Sequence, residues 1–180
     1  MKLIGKTKLK FESLFQKRIA NTSVGASTVR GQKKGTAKTI REYLENINLG
    51  EFKKINNQTK YDIILDKHTN KLANAKHKVI FGFARKCLNI FLFEVSHNTI
   101  LSKKWGLNRI IPFLELPIDN PNEKRLRKGR TCEANWNWSS INKLGAEDNE
   151  KIQEFARKYM KKEYGLDRVY FELYSWRSEK

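Results

Sequence analysis

Two residues have the type and setting for chemistry, Lys86 and Asp119. Lys86 lies near the start of FGFARKCLNIFLFEVSHNTILSK, residues 81–103, the most apolar stretch of a polar chain. That stretch reads as one helix, apolar nearly all round in its first half, and such a helix is normally surrounded by other elements. The positive end of a helix macrodipole and desolvation both disfavour an ammonium there and favour the free amine. A free amine is what a Schiff-base lysine requires. Asp119 follows the apolar run LELPI and opens another helix. A carboxylate so placed can stabilise a developing cation or take a proton from the amine. The plainer reading stays open beside it: Lys86 reaches solvent and Asp119 only caps its helix.

Other chemistries find less support. His68, His77 and His97 show no HxxxH or HExxH spacing, and Cys87 and Cys132 have no metal-ligand spacing. No metal and no cofactor are therefore expected. Cys87, inside the apolar stretch, reads as a small core residue. No P-loop, GxGxxG or GxSxG motif occurs.

The charge balance points to a partner. Lys and Arg number 37 against 19 Asp and Glu, a net charge of +18 over 180 residues. The simplest partner for such an excess is a polyanion, most often nucleic acid. No run of 18 apolar residues exists, so no membrane span is expected. The stretch MKLIGKTKLKFESLF lacks the apolar core and cleavage site of a secretory signal. A reducing cytoplasm fits the cysteine usage.

The elements that must position Lys86 and Asp119 are mostly helical by pattern. Leu9, Phe11, Leu14, Phe15 and Ile19 predict a helix over 8–20. NTSVGASTVRGQKKG then reads as a loop carrying Arg30, Lys33 and Lys34, either a cradle for phosphates or a mobile linker. Residues 1–35 form a basic N-terminal helix and loop. Helices follow over 36–47, with Thr36 as its cap, and 58–75. Pro112 and Pro117 forbid one continuous helix between residues 101 and 119. NPNEKRLRKGR opens a short basic helix bearing Lys124, Arg125 and Arg127. Residues 146–164 are amphipathic, with Gly165 as a left-handed stop. The last element, 167–176, is read as helix capped by Asp167, in preference to strand. The fold class is mainly α, in a single domain over 1–180.

Three motifs in order carry a resemblance: GFARKCLNIFL, then NRIIPFLELPIDNPNEKRLR, then IQEFARKYMKKEYGLDRVYFELYSW. They resemble the helix-hairpin-helix DNA glycosylase superfamily, nearest to the archaeal 8-oxoguanine DNA glycosylases. The match covers roughly 77–128 and 150–177. There a hairpin leads to a helix opening with the catalytic lysine, a PxD segment supplies an aspartate, and the chain closes with an acid and a tryptophan four residues later. The resemblance implies a two-lobed helical domain with a hairpin, lysine helix and aspartate segment over 77–128. It implies Lys86 and Asp119 as catalytic residues, with Lys78 an alternative register for the lysine. It implies Glu172, Trp176 and Phe91 as substrate-binding residues, with Trp136 and Trp138 as further stacking candidates. Ile90 stands where the archaeal enzymes carry a stacking aromatic, and GFAR lacks the hairpin's second glycine. Gly82 and Arg85 of the hairpin, with Arg30, Lys33, Lys34, Lys124, Arg125 and Arg127, would meet DNA phosphates.

The expected function is a DNA N-glycosylase/AP lyase that flips out a damaged base, 8-oxoguanine among the possibilities, and excises it through a lysine Schiff base. Double-stranded DNA is the expected partner of a cytoplasmic, nucleoid-associated monomer. The alternatives are a non-enzymatic DNA-binding protein on the same fold and, further off, a basic helical protein associated with RNA.

Overall fold

The apolar stretch around Lys86 forms the centre of the molecule, as its composition requires. A computed structural model describes residues 2–26, 28–75, 77–128 and 135–177, and only the backbone of residues 2–10, 176 and 177. Eight α-helices run along the described residues: α1 (Lys2–Ser23), α2 (Thr36–Asn46), α3 (Gln58–Ala73), α4 (Phe81–His97), α5 (Thr99–Trp105), α6 (Asn120–Lys128), α7 (Ala146–Tyr164) and α8 (Phe171–Arg177). Short 3-10 turns join them at Leu49–Lys54, Leu107–Phe113, Ile141–Lys143 and Arg168–Tyr170. No strand occurs among the described residues. The protein is mainly helical.

α4 touches α1, α2, α3, α5 and α7. Phe83, Ala84, Cys87, Leu88, Phe91, Leu92 and Val95 are all buried on it. Burying each larger side chain of this kind contributes roughly 1.5–3 kcal/mol. A first apolar cluster gathers α1 to α5 around these residues. A second joins Leu116, Ile118, Leu126 and Trp136 to Ile152, Ala156 and Met160 of α7 and Phe171 of α8.

Between the clusters runs the buried segment Leu114–Ile118, which has no regular secondary structure. Buried backbone amides and carbonyls need partners, and here side chains supply them. Arg168 donates to the carbonyls of Phe113 and Leu114 at 2.8 and 2.9 Å. The Gln153 amide holds both the N–H and the carbonyl of Leu116, at 2.9 and 2.8 Å. Asn122 donates to the Pro117 carbonyl at 2.7 Å. This clamping delivers Asp119 to its place.

Several boundaries differ from the sequence reading. The 81–103 helix is two helices, because Asn98 turns extended and its side chain caps Leu101 N at 3.0 Å. Thr36 is not a cap: it sits inside α2 and Gly35, at φ 94°, precedes it. The last element is a 3-10 turn followed by α8, and Asp167 makes no side-chain cap. α7 ends as expected, with Gly165 at φ 67° and its amide bonded to Lys161 O.

Candidate active site

Lys86 Nζ lies 3.1 Å from Asp119 Oδ2, and the two side chains are 13% and 14% exposed. Asp119 divides its carboxylate between two tasks. Oδ1 accepts from Asn122 N at 3.0 Å and caps α6, which fixes the orientation of Oδ2 toward the lysine. The helix cap and the contact with Lys86 therefore use different oxygens of one carboxylate.

The pair lies at a pocket of about 620 Å³. That volume falls within the roughly 300–1,000 Å³ of small-ligand sites. Phe83, Lys86 and Ile90 present one face of α4 to it, spaced by three and four residues. The start of α6 supplies Asp119, Asn120 and Pro121, and the 140s turn supplies Ser140, Ile141 and Asn142. The end of α1 and the loop after it supply Thr22, Ser23, Thr28, Arg30, Gly31 and Gln32. Glu172 comes from α8. Burial first, and the nearby Asp119 carboxylate second, push the Glu172 carboxyl up to about 7, with Lys86 pulling the other way. The site thus offers a lysine, an aspartate and a glutamic carboxyl raised toward neutrality. A constellation of that kind can perform nucleophilic attack with local proton transfer.

Of the residues named from the sequence, Lys86, Asp119, Glu172 and Arg30 line one pocket. Lys78 is exposed ahead of α4 and does not line the pocket, whereas Lys86 does. Lys33, Lys34 and Lys124 are exposed, and Arg125 is half-buried. Arg127 is held at 2.5 Å by Glu123, which also accepts from Trp136 Nε1 at 3.1 Å. Trp136 is buried in the second cluster and Trp138 packs against it. The Trp176 side chain and Cys132 lie outside the described residues.

Three expectations are corrected. Phe91 is fully buried in the first cluster, because it faces away from Ile90's side of α4; Ile90 lines the pocket instead. Gly82 is not in a hairpin loop open to phosphate. It sits in the first turn of α4, where an added Cβ would collide with Ile141 O. Its lack of a side chain lets the 140s turn pack on the helix. Arg85 is buried and unavailable to DNA, since its guanidinium binds Glu115 twice at 2.8 Å and Asp66 at 2.5 Å. Burial pushes the Glu115 carboxyl up, but Arg85 outweighs it and holds the group below the usual range.

The N-terminal loop and the 140s turn were not read as pocket walls. Their polar residues carry no local signal, because the partners that matter are more than 100 positions apart, as in the Gln32–Asn142 bond. Among the described residues, no group of three or more His, Cys, Asp and Glu side chains forms a metal site, and no helix is long and apolar enough to cross a membrane. No protein-family model, curated protein or solved structure matches the chain.

Proposed function

We propose that this protein is a DNA N-glycosylase/AP lyase. The observation that carries the reading is the Lys86–Asp119 pair at 3.1 Å in a pocket it shares with Glu172. The motif order described above supplies the reaction class, and the net charge of +18 suits a DNA partner. The target base is taken out of the stack into the pocket, since a base inside a duplex is out of reach. Arg30 at the pocket and the exposed Lys33, Lys34 and Lys124 neutralise flanking phosphates.

The Lys86 ammonium passes a proton to Asp119 Oδ2 across their existing contact. The free amine attacks the sugar C1′, the N-glycosidic bond breaks, and the base leaves with its bonding pair. Glu172 gives the departing base a proton. Glu172 takes a proton from the new Lys86–C1′ nitrogen, Asp119 gives its proton to the ring oxygen, and the C1′–O4′ bond breaks to leave an iminium between Lys86 and C1′. The Asp119 carboxylate so restored, held by its α6 cap, faces the iminium and takes the C2′ proton as the 3′ phosphate departs and the strand is nicked. Water hydrolyses the iminium to free the Lys86 ammonium, and Asp119 loses its proton to solvent.

A second reading is a DNA-binding protein without chemistry. It is favoured by Asp119's structural duty as a helix cap, which accounts for the ion pair without a reaction. Borohydride trapping on abasic duplex DNA separates the two. A covalent adduct with the wild type that is lost in Lys86→Gln supports the lyase. Salt-sensitive duplex binding with no adduct leaves the binding protein.

A further inference from the structure

Gln32 and Asn142 both line the pocket that holds Lys86 and Asp119. Gln32 Nε2 donates to Asn142 Oδ1 at 3.0 Å, joining two segments 110 positions apart. One comes from the loop after α1 and the other from the turn that packs on Gly82 of α4. Each side-chain amide has one carbonyl oxygen and two N–H groups. The bond between them uses one N–H of Gln32 and a lone pair of Asn142. It leaves Gln32 Oε1 as an acceptor and the Asn142 amide hydrogens as donors at the pocket.

We infer that this amide pair reads the edge of the extruded base, which makes Gln32 and Asn142 specificity-determining residues. The inference rests on the glycosylase reading proposed above and goes beyond it. One acceptor and one donor from a linked pair of amides can together meet a heterocycle edge that carries a ring N–H beside a carbonyl, or an amino group beside a ring nitrogen. Glutamine and asparagine are the side chains that make two-bond contacts of this kind to base edges. Apolar walls of the same pocket suit a flat ring: Phe83, Ile90, Ile141 and Pro121 line it with the amide pair and Lys86. Lys86 and Asp119 hold the sugar end of such a ligand, and the amides hold its far edge.

The abasic site provides the discriminating substrate, because it keeps the sugar and lacks the base. The rate of base release is measured in single turnover on duplexes carrying 8-oxoguanine, hypoxanthine or uracil, which present an N–H beside a carbonyl. Duplexes with an extrahelical adenine or cytosine present the amino-group edge. Borohydride trapping on an abasic duplex is measured in parallel. Gln32→Met and Asn142→Ala are expected to slow base release about tenfold or more, the scale of one good amide–base contact, and to leave abasic trapping within about twofold. Equal loss of both activities overturns the inference and makes the bond a structural clasp. Unchanged base release in both variants also overturns it. Abasic trapping by the wild type without release of any base tested removes the reading role while leaving the lyase standing. No abasic adduct with the wild type overturns the glycosylase reading, and this inference falls with it.

Discussion

Arg85 and Lys86 are neighbours in the chain and serve two different cavities. Lys86 meets Asp119 in the proposed active pocket, while Arg85 meets Glu115 in a polar cavity lined also by Asp62, Asp66 and Arg168. One step along α4 turns a side chain by about 100°, enough to point neighbouring cations into different cavities. Breaking a buried pair by removing one partner costs about 3–5 kcal/mol, because the other charge is stranded. Arg85→Met is therefore expected to lower stability on that scale in chemical denaturation. Lys86→Gln is expected to cost about 1 kcal/mol, as partly exposed pairs do, and to abolish the borohydride adduct. Similar stability losses in the two variants would contradict this division.

Asp119 can be split by substitution. Asn caps a helix about as well as Asp, so Asp119→Asn is expected to melt near the wild-type temperature while losing strand cleavage. Asp119→Ala loses the cap as well, with a further cost of about 1 kcal/mol. The pair of melting curves, set beside the pair of trapping gels, checks both halves.

Gln153 tests how Asp119 is delivered. Its amide satisfies both backbone groups of Leu116, three residues before Asp119. Gln153→Leu strands a buried donor and a buried acceptor, at about 1–3 kcal/mol each. Denaturant midpoints should fall accordingly. Adduct formation should slow even at temperatures where the variant stays folded, since Asp119 loses its anchor. Full adduct rate in a folded Gln153→Leu protein would show that the segment positions nothing.

Glu172 makes stability depend on pH in a definite direction. Its carboxyl is raised from 4.5 to about 7 in the folded state, so folding favours the protonated form. The stability it confers is complete below about pH 4.5 and is lost as pH rises through about 7. A shift of that size corresponds to about 3 kcal/mol. Glu172→Gln should be more stable than the wild type at pH 8 and no more stable at pH 4.5. Thermal melts across that range measure the crossing.

His68 has the opposite sense. It is buried against Phe52, shares a hydrogen bond with the Tyr43 hydroxyl at 2.6 Å, and burial lowers it from 6.5 to about 4. A histidine whose folded value is depressed holds its stability above pH 6.5 and loses it as pH falls toward about 4. The loss again amounts to about 3 kcal/mol. His68→Gln should flatten this part of the acid limb. An unchanged slope between pH 6.5 and 4 would place the proton elsewhere.

The sequence by itself determined the helical class, the centrality of the apolar stretch and the ends of α7. These follow from local periods, end signals and residue types, which are written within one or two turns of chain. Only the tertiary structure decided which face of α4 each residue takes. A helix apolar nearly all round gives no phase, so Phe91 and Arg85 were read as site residues although packing turns them inward. Tertiary structure also decided that Gly82 is a contact point rather than a hairpin, because what it touches, Ile141, lies 59 positions away. The walls of the pocket belong to the same class. Gln32, Asn142 and the clamped segment 114–118 acquire their meaning from partners distant in the chain, and no local pattern of residues encodes such a partner.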